Sequence, residues 1–274
     1  MSLFEIDVEK CTRDGACAAE CPSGIIRLKE KGDVPSPARD AEEYCIRCGH
    51  CVAVCPTGAL THRDMRLDDC PEIARVPEVD PRVLENHLRA RRSIRTYRKK
   101  PVDRGIITRL IETARYAPSG HNSQPVHWLV IHDSEDVRVM AGLTVDWMRY
   151  MLEKDPGFAR GLNMDRIVAA WEMGQDKVCR GAPHIVVVHA DKNDRTAPPA
   201  CTLALASLEI LAPSLGLGAC WAGFFNGAAS LWPPMKEALN LPEGHANFGS
   251  MMLGYPVYAY HRIPTRKAPP ITWR

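Results

Sequence analysis

Seven of the eleven cysteines fall within the first 55 residues, in two runs that each close on Cys-Pro. The second run, Cys45-x-x-Cys48-x-x-Cys51-x-x-x-Cys55-Pro56, has the spacing of bacterial-type iron–sulfur ligation. The first, Cys11-x-x-Asp14-x-x-Cys17-x-x-x-Cys21-Pro22, repeats it at an offset of 34 with an aspartate in one ligand position. Ser23-Gly24 and Thr57-Gly58 keep the same register. A segment built this way is a duplicated half-unit that folds around what its cysteines hold, so the chain is expected to move electrons.

Three closely spaced thiolates on a tight loop wrap one face of a cubane. The fourth, followed by a helix-breaking proline, comes from the other half and locks the halves together. On that scheme Cys45, Cys48, Cys51 and Cys21 hold one cluster, and Cys11, Cys17, Cys55 and Asp14 line the other. A carboxylate is a harder ligand than a thiolate, so the Asp14 site is expected to hold either a 4Fe-4S cluster with a labile corner or a 3Fe-4S cluster. Structural zinc calls for four ligands in two pairs and leaves the crossed repeat unexplained. Disulfides need an oxidising compartment. The opening Met1–Glu5 does not read as a signal peptide, and a cytoplasmic location is expected. Cys70, Cys179, Cys201 and Cys220 lack ligand spacing and read as buried small hydrophobes.

Residues 1–66 resemble a two-cluster bacterial ferredoxin, with Asp14 as the departure. A chain of 274 residues is natural for two domains. The expected division is an iron–sulfur domain over 1–67, a linker over 68–82 and a second domain over 83–274. Asp68-Asp69-Cys70-Pro71 through Val79-Asp80-Pro81 carries the prolines and weak periodicity of a linker, and Pro35-Ser36-Pro37 reads as a break between the cluster halves. Residues 1–70 hold 9 Lys/Arg against 13 Asp/Glu, and residues 71–274 hold 26 against 20. That asymmetry suits an acidic electron-transfer module beside a domain for an anionic cofactor. No uninterrupted apolar run approaches the ~20 residues of a membrane span, so no membrane partner is expected.

Beyond Asp80, helical and strand patterns alternate. Asp80-Pro81 and Asp103 read as helix starts, with Ile106, Ile107, Leu110, Ile111 and Ala114 on one helical face. Helices are expected near 135–154, 163–179, 201–215 and 235–239. Strands are expected at 128–131, 185–188, 219–225 and 248–253. The order predicts an α/β layer architecture around a central sheet.

Three features carry chemistry here. Arg91-Arg92-Ser93-Ile94-Arg95 clusters guanidinium forks suited to phosphate oxygens. Ala117-Pro118-Ser119-Gly120-His121-Asn122-Ser123-Gln124-Pro125 is a loop that can offer hydrogen-bond groups to a flat heterocycle. Leu215-Gly216-Leu217-Gly218-Ala219-Cys220-Trp221-Ala222-Gly223-Phe224 lets backbone approach a ligand closely.

In this order they resemble the nitroreductase family of FMN enzymes over residues 86–267. The resemblance implies an α+β nitroreductase-like FMN fold behind a small two-cluster ferredoxin-like domain. It implies that Arg91, Arg92 and Ser93 meet the FMN phosphate and ribityl chain, with Arg95 near the pyrimidine edge. It implies that Asn122 meets the ring from the facing subunit of a homodimer, that Cys220, Trp221, Ala222 and Gly223 line the ring, and that Arg266 and Lys267 lie near the phosphate. Ala222 stands where some members carry a glutamate.

The expected activity is that of an oxidoreductase. Electrons pass from an external donor, reduced ferredoxin or NAD(P)H, through the clusters to FMN. From there they reach a small organic acceptor such as a nitroaromatic, quinone or activated alkene. No side chain stands out as a general acid, so no catalytic residue is named; His121 and His127 read as structural. Trp147, Tyr150, Met151, Phe158 and Trp171 fall where the family places substrate-covering helices, though several suit a core. The rival readings are a non-catalytic redox carrier or sensor and a nucleic-acid binder using the basic run at 89–100. The latter is disfavoured, and no nucleic-acid partner is expected.

Overall fold

Residues 2–74 and 78–274 are described in the computed structural model; part of the expected linker, residues 75–77, lies outside them. The chain divides into two units. One comprises residues 1–78 with 121–123, and the other residues 79–120 with 124–274.

In the first unit the elements are very short: β1 (Phe4–Ile6), α1 (Ala16–Ala19), β2 (Ile26–Arg27), β3 (Ser36–Pro37), α2 (Ala41–Tyr44), α3 (His50–Ala53) and β4 (Leu60–His62). The ends meet, β1 against β4 antiparallel, with Phe4 opposite His62. The Pro35-Ser36-Pro37 segment is more than a break, because Ser36 and Pro37 pair with β2. The sequence repeat is also a backbone repeat. Arg13, Gly15 and Gly24 have φ of 56°, 78° and 60°, and Arg47, Gly49 and Gly58 have 52°, 74° and 62°. Each trio precedes, opens and follows one four-residue helix, α1 or α3. Leu3, Phe4, Ile25, Ile26, Val52 and Leu60 form a small core with Cys17, and Cys21, Cys45, Cys51 and Cys55 pack against it.

The second unit begins as its caps dictate. Asp80 accepts from the Arg82 N–H at the start of α4 (Pro81–Ala90), and Asp103 accepts from Gly105 at the start of α5 (Arg104–Ala114). Then follow β5 (His127–Ile131), α6 (Ser134–Lys154), α7 (Pro156–Gly161), α8 (Met164–Glu172), β6 (His184–Asp191), α9 (Ala197–Leu211), β7 (Gly218–Trp221), α10 (Gly223–Leu231), α11 (Pro233–Leu239) and β8 (His245–Gly254). The strands form one sheet in the order β5-β6-β8-β7, antiparallel throughout.

Strand alternation divides the core in two. Ile185 and Val187 join the side packed with Ala141, Val145, Met148 and Phe225. Val186 and Val188 join the side packed with Ile107, Leu110, Leu205 and Leu208. Ala197–Leu215 is long and apolar enough to span a bilayer by length and composition alone. Here it supplies buried Ala197, Cys201, Leu205, Leu208 and Ala212 to that second core.

Two expected elements differ. The helix expected over 163–179 ends at Glu172, followed by Gly174 at φ 76°. The Asp176 carboxylate then takes the N–H groups of Val178, Cys179 and Gly181, a turn that competes with helix. The strand expected over 219–225 stops at Trp221, and Phe224 and Phe225 lie in α10. Apolar runs this short do not distinguish strand from buried helix.

Candidate functional site

Among the described residues of the first unit, two cavities are lined by cysteines of both runs. One is lined by Cys21, Cys45, Cys48 and Cys51 with Leu3, Phe4, Ile25 and His62. The other is lined by Cys11, Asp14, Cys17 and Cys55 with Ile6, Pro35 and Leu60. Each therefore takes three groups from one cysteine run and a fourth cysteine from the other. All eleven cysteines are free thiols. Among the described residues, no three His, Cys, Asp or Glu side chains are drawn together tightly enough for a single metal ion. A cubane carries its thiolates on separate irons and takes a wider set of donors, so the donors and the space between them fit iron–sulfur clusters.

The electrostatics group the same residues. Burial pushes the Cys51 thiol up to about 11, and Cys48, Cys21 and Cys45 add to the rise. Burial likewise raises Cys17, with Cys55, Cys11 and Asp14 contributing. At Cys55 burial is outweighed by backbone N–H groups of Leu60, Thr57 and Ala59, and the thiol is lowered. The Ala59 N–H lies 3.2 Å from Cys55 Sγ. Cysteines held protonated in this way must release protons to bind metal. The Asp14 carboxylate is exposed and accepts from the Ala16 N–H at 2.8 Å and from Thr12 Oγ1 at 2.7 Å, which lower its pKa.

In the second unit, Arg91–Arg95 is held along the edge strand β7. Ile94 donates its N–H to the Ala219 carbonyl at 3.0 Å. A Cβ on Gly218 would overlap the Ile94 side chain, so only glycine permits this approach. Burial raises the Cys220 thiol, while Arg95, a hydrogen bond with Ser93 and Arg180 pull it down. Ser93, Arg95 and Cys220 are thus neighbours.

Arg91 Nη1 is paired with Glu209 at 2.7 Å, a carboxylate only 10% exposed. Arg92 Nη2 donates to the Arg89 carbonyl, and its Nε is buried without a partner. An unpaired buried guanidinium nitrogen beside a strand of small residues fits an anionic, flat ligand such as a flavin nucleotide. Trp221 is 39% exposed, Ala222 is buried, and Gly223 opens α10.

Asn122 belongs to the first unit, where its Nδ2 donates to the Arg47 carbonyl at 3.0 Å. His121, Asn122 and Gln124 all have positive φ, near 50°. Arg266 and Lys267 lie in an exposed C-terminal stretch without regular structure. That stretch leaves β8 along the 96–98 segment, where Arg98 donates to the Tyr255 carbonyl and Val257 to that of Thr96.

Of the covering candidates, Trp147 is buried, and Met151 and Trp171 pack against the core, while Tyr150 and Phe158 are exposed. Cys179, Cys201 and Cys220 are buried as expected; Cys70 is only half-buried. Sequence reasoning missed Glu209, Arg180 and His62. Glu209 carried a readable signal, a lone acid in an otherwise apolar helix. Arg180 and His62 carried none beyond their residue type.

The Nitroreductase family model matches residues 88–255, and a 4Fe-4S dicluster domain model matches residues 3–56. A protein of Archaeoglobus fulgidus, named with the NADH dehydrogenase/NAD(P)H nitroreductases, is 26% identical over 166 residues, 61% of this chain and 81% of its own length. A Bacteroides fragilis nitroreductase with bound FMN superposes with a TM-score of 0.56 at 23% identity, covering 71% of this chain and 99% of that one. For a Desulfitobacterium hafniense nitroreductase with bound FMN the TM-score is 0.54 at 23% identity, over 69% and 97%. At such identity these two show the fold. With the family model spanning more than half its length, the chain belongs to the nitroreductase family and carries a 4Fe-4S dicluster domain ahead of the nitroreductase region.

Proposed function

We propose that this chain is an iron–sulfur flavoprotein oxidoreductase. It takes electrons from an external donor, reduced ferredoxin or NAD(P)H, and delivers them to a small organic acceptor such as a nitroaromatic, quinone or activated alkene. The observation that carries this reading is the pair of cavities, each lined by thiols from both cysteine runs, in a chain whose larger part belongs to the nitroreductase family.

Cys45, Cys48, Cys51 and Cys21 would hold one cluster, and Cys11, Cys17, Cys55 and Asp14 the other, the latter with three or four irons. Bound there, the clusters supply one-electron transfer. Arg91, Arg92 and Ser93 would hold the FMN phosphate and ribityl chain, with Arg266 and Lys267 near the phosphate. Cys220, Trp221, Ala222 and Gly223 would line the ring, and Asn122 would meet it from the facing subunit of a homodimer. Bound FMN supplies the conversion between one- and two-electron steps.

Arg95 would place a positive charge near the pyrimidine edge of bound FMN, where it would favour an anionic ring. The Arg91–Glu209 pair fixes one guanidinium and leaves its other nitrogens for a phosphate. With Ala222 in place of a glutamate, no carboxylate at that position positions water or a proton. A cytoplasmic location fits the free thiols.

The test is an anaerobic visible spectrum of the pure protein with iron, sulfide and released-flavin analysis. Flavin and iron–sulfur bands together are expected. Tightly bound zinc without sulfide, or a colourless second domain, would contradict the reading.

A further inference from the structure

The two cavities share a backbone repeat but not their surroundings. In the second half, His62 on β4 is 2% exposed and lines the cavity of Cys21, Cys45, Cys48 and Cys51. Its Nε2 lies 3.5 Å from Cys45 Sγ. Its Nδ1 lies 3.0 Å from the backbone N of Asp64, which donates to it. A ring nitrogen that accepts carries no hydrogen, so the single proton of the neutral imidazole sits on Nε2 and points at the sulfur. The Arg47 N–H, 3.4 Å away, donates to the same sulfur. One repeat earlier, the residue matched to His62 is Leu28, whose side chain has no N–H to offer.

We propose that His62 is a positioning residue that sets the reduction potential of the cluster held by Cys21, Cys45, Cys48 and Cys51, making the two clusters unequal. The inference rests on the cluster ligation proposed above. Adding one electron to the cluster raises the negative charge on its sulfurs. An N–H aimed at Cys45 Sγ therefore favours the reduced form more than the oxidised one, and the potential rises. A hydrogen bond strengthens as the charge on its acceptor grows. A difference between the two redox states of about tenfold in the reduction equilibrium is then reasonable, which for one electron is about 59 mV. The Asp14 cavity, with leucine at the matched position, keeps the lower potential as far as this contact is concerned.

The experiment is a potentiometric titration of the full-length protein under argon, followed by electron paramagnetic resonance, with wild type, His62→Leu and His62→Gln. In His62→Leu the midpoint of one cluster should fall by about 59 mV while the other stays fixed. The shifted signal should be the one that Cys48→Ser alters. His62→Gln, which keeps an N–H donor, should recover most of the shift. An unchanged midpoint in His62→Leu, or an equal shift of both clusters, would overturn the assignment.

Because a buried leucine can disturb folding, the wild-type protein labelled with 15N-histidine supplies a second readout. Pulsed measurements on the reduced cluster should show a weak 15N coupling, and its absence overturns the assignment as well. A preparation lacking iron and sulfide would instead remove the cluster reading on which the proposal rests.

Discussion

The two units are stabilised by different physics. The second has a four-stranded sheet with an apolar core on each face, including fully buried Leu110, Met148, Ile185, Leu205, Phe225 and Met251. The first has helices of four residues and strands of two or three, and its core holds one phenylalanine and a few aliphatic side chains among cysteines. Helices that short are not stable alone, and a segment of this size rarely supplies enough core without a staple. One unit specifies its fold by burial, and the other would depend on the clusters proposed for its cysteines.

Stripping iron with a chelator under reducing conditions should therefore have the largest effect. Structural metal sites contribute on the order of 10 kcal/mol, so the first unit should become sensitive to trypsin while residues 79–274 persist. All six tryptophans lie in the second unit, so their fluorescence follows that unit separately and should change little. Loss of both units together would break the comparison.

A smaller effect should come from Gly218→Ala. Its Cβ would overlap Ile94 where the Arg91–Arg95 segment meets β7. Overpacking of this kind costs about 1–3 kcal/mol, and should lower both thermal stability and flavin content. Unchanged stability would mean that the segment is not held against the strand.

The smallest effect sharpens the same contrast through pH. His189 on β6 is 6% exposed, its ring packed against those of His127 and His245, with its Nδ1 2.9 Å from that of His245. Burial, then His245 and His127, lower its pKa from 6.5 to about 4. Between those values the unfolded chain binds the extra proton. The contribution of His189 is complete above about pH 6.5 and is lost as pH falls toward 4. In urea unfolding followed by tryptophan fluorescence, wild type should lose about 1.4 kcal/mol per pH unit more than His189→Gln across that window. Burial also lowers His184, which is why the difference between the two proteins is the quantity to measure. Parallel pH profiles would count against a buried neutral His189.

What could be read beforehand follows the same division. The cysteine spacing with its offset of 34 already grouped the residues that line each cavity, because ligand geometry is local and periodic. The helix starts at Asp80 and Asp103 were legible because a cap is a short-range hydrogen bond. The antiparallel order β5-β6-β8-β7 was not, since it pairs strands far apart in sequence. The end of α8 depended on the Asp176 turn. His62 was silent because its role comes from the pairing that brings β4 to β1, and Arg180 from a fold-back toward Cys220. Around the flavin candidates, sequence named residue types but not the Arg91–Glu209 pair, which joins positions 118 residues apart.

The central claim is that thiolate-bound clusters and a flavin exchange electrons within this chain. Anaerobic stopped-flow mixing with a low-potential one-electron donor, followed at iron–sulfur and flavin wavelengths, tests it most directly. Cluster bleaching followed by flavin bleaching, with the second phase faster than turnover, is the predicted result. Clusters that stay reduced beside an oxidised flavin throughout would contradict it.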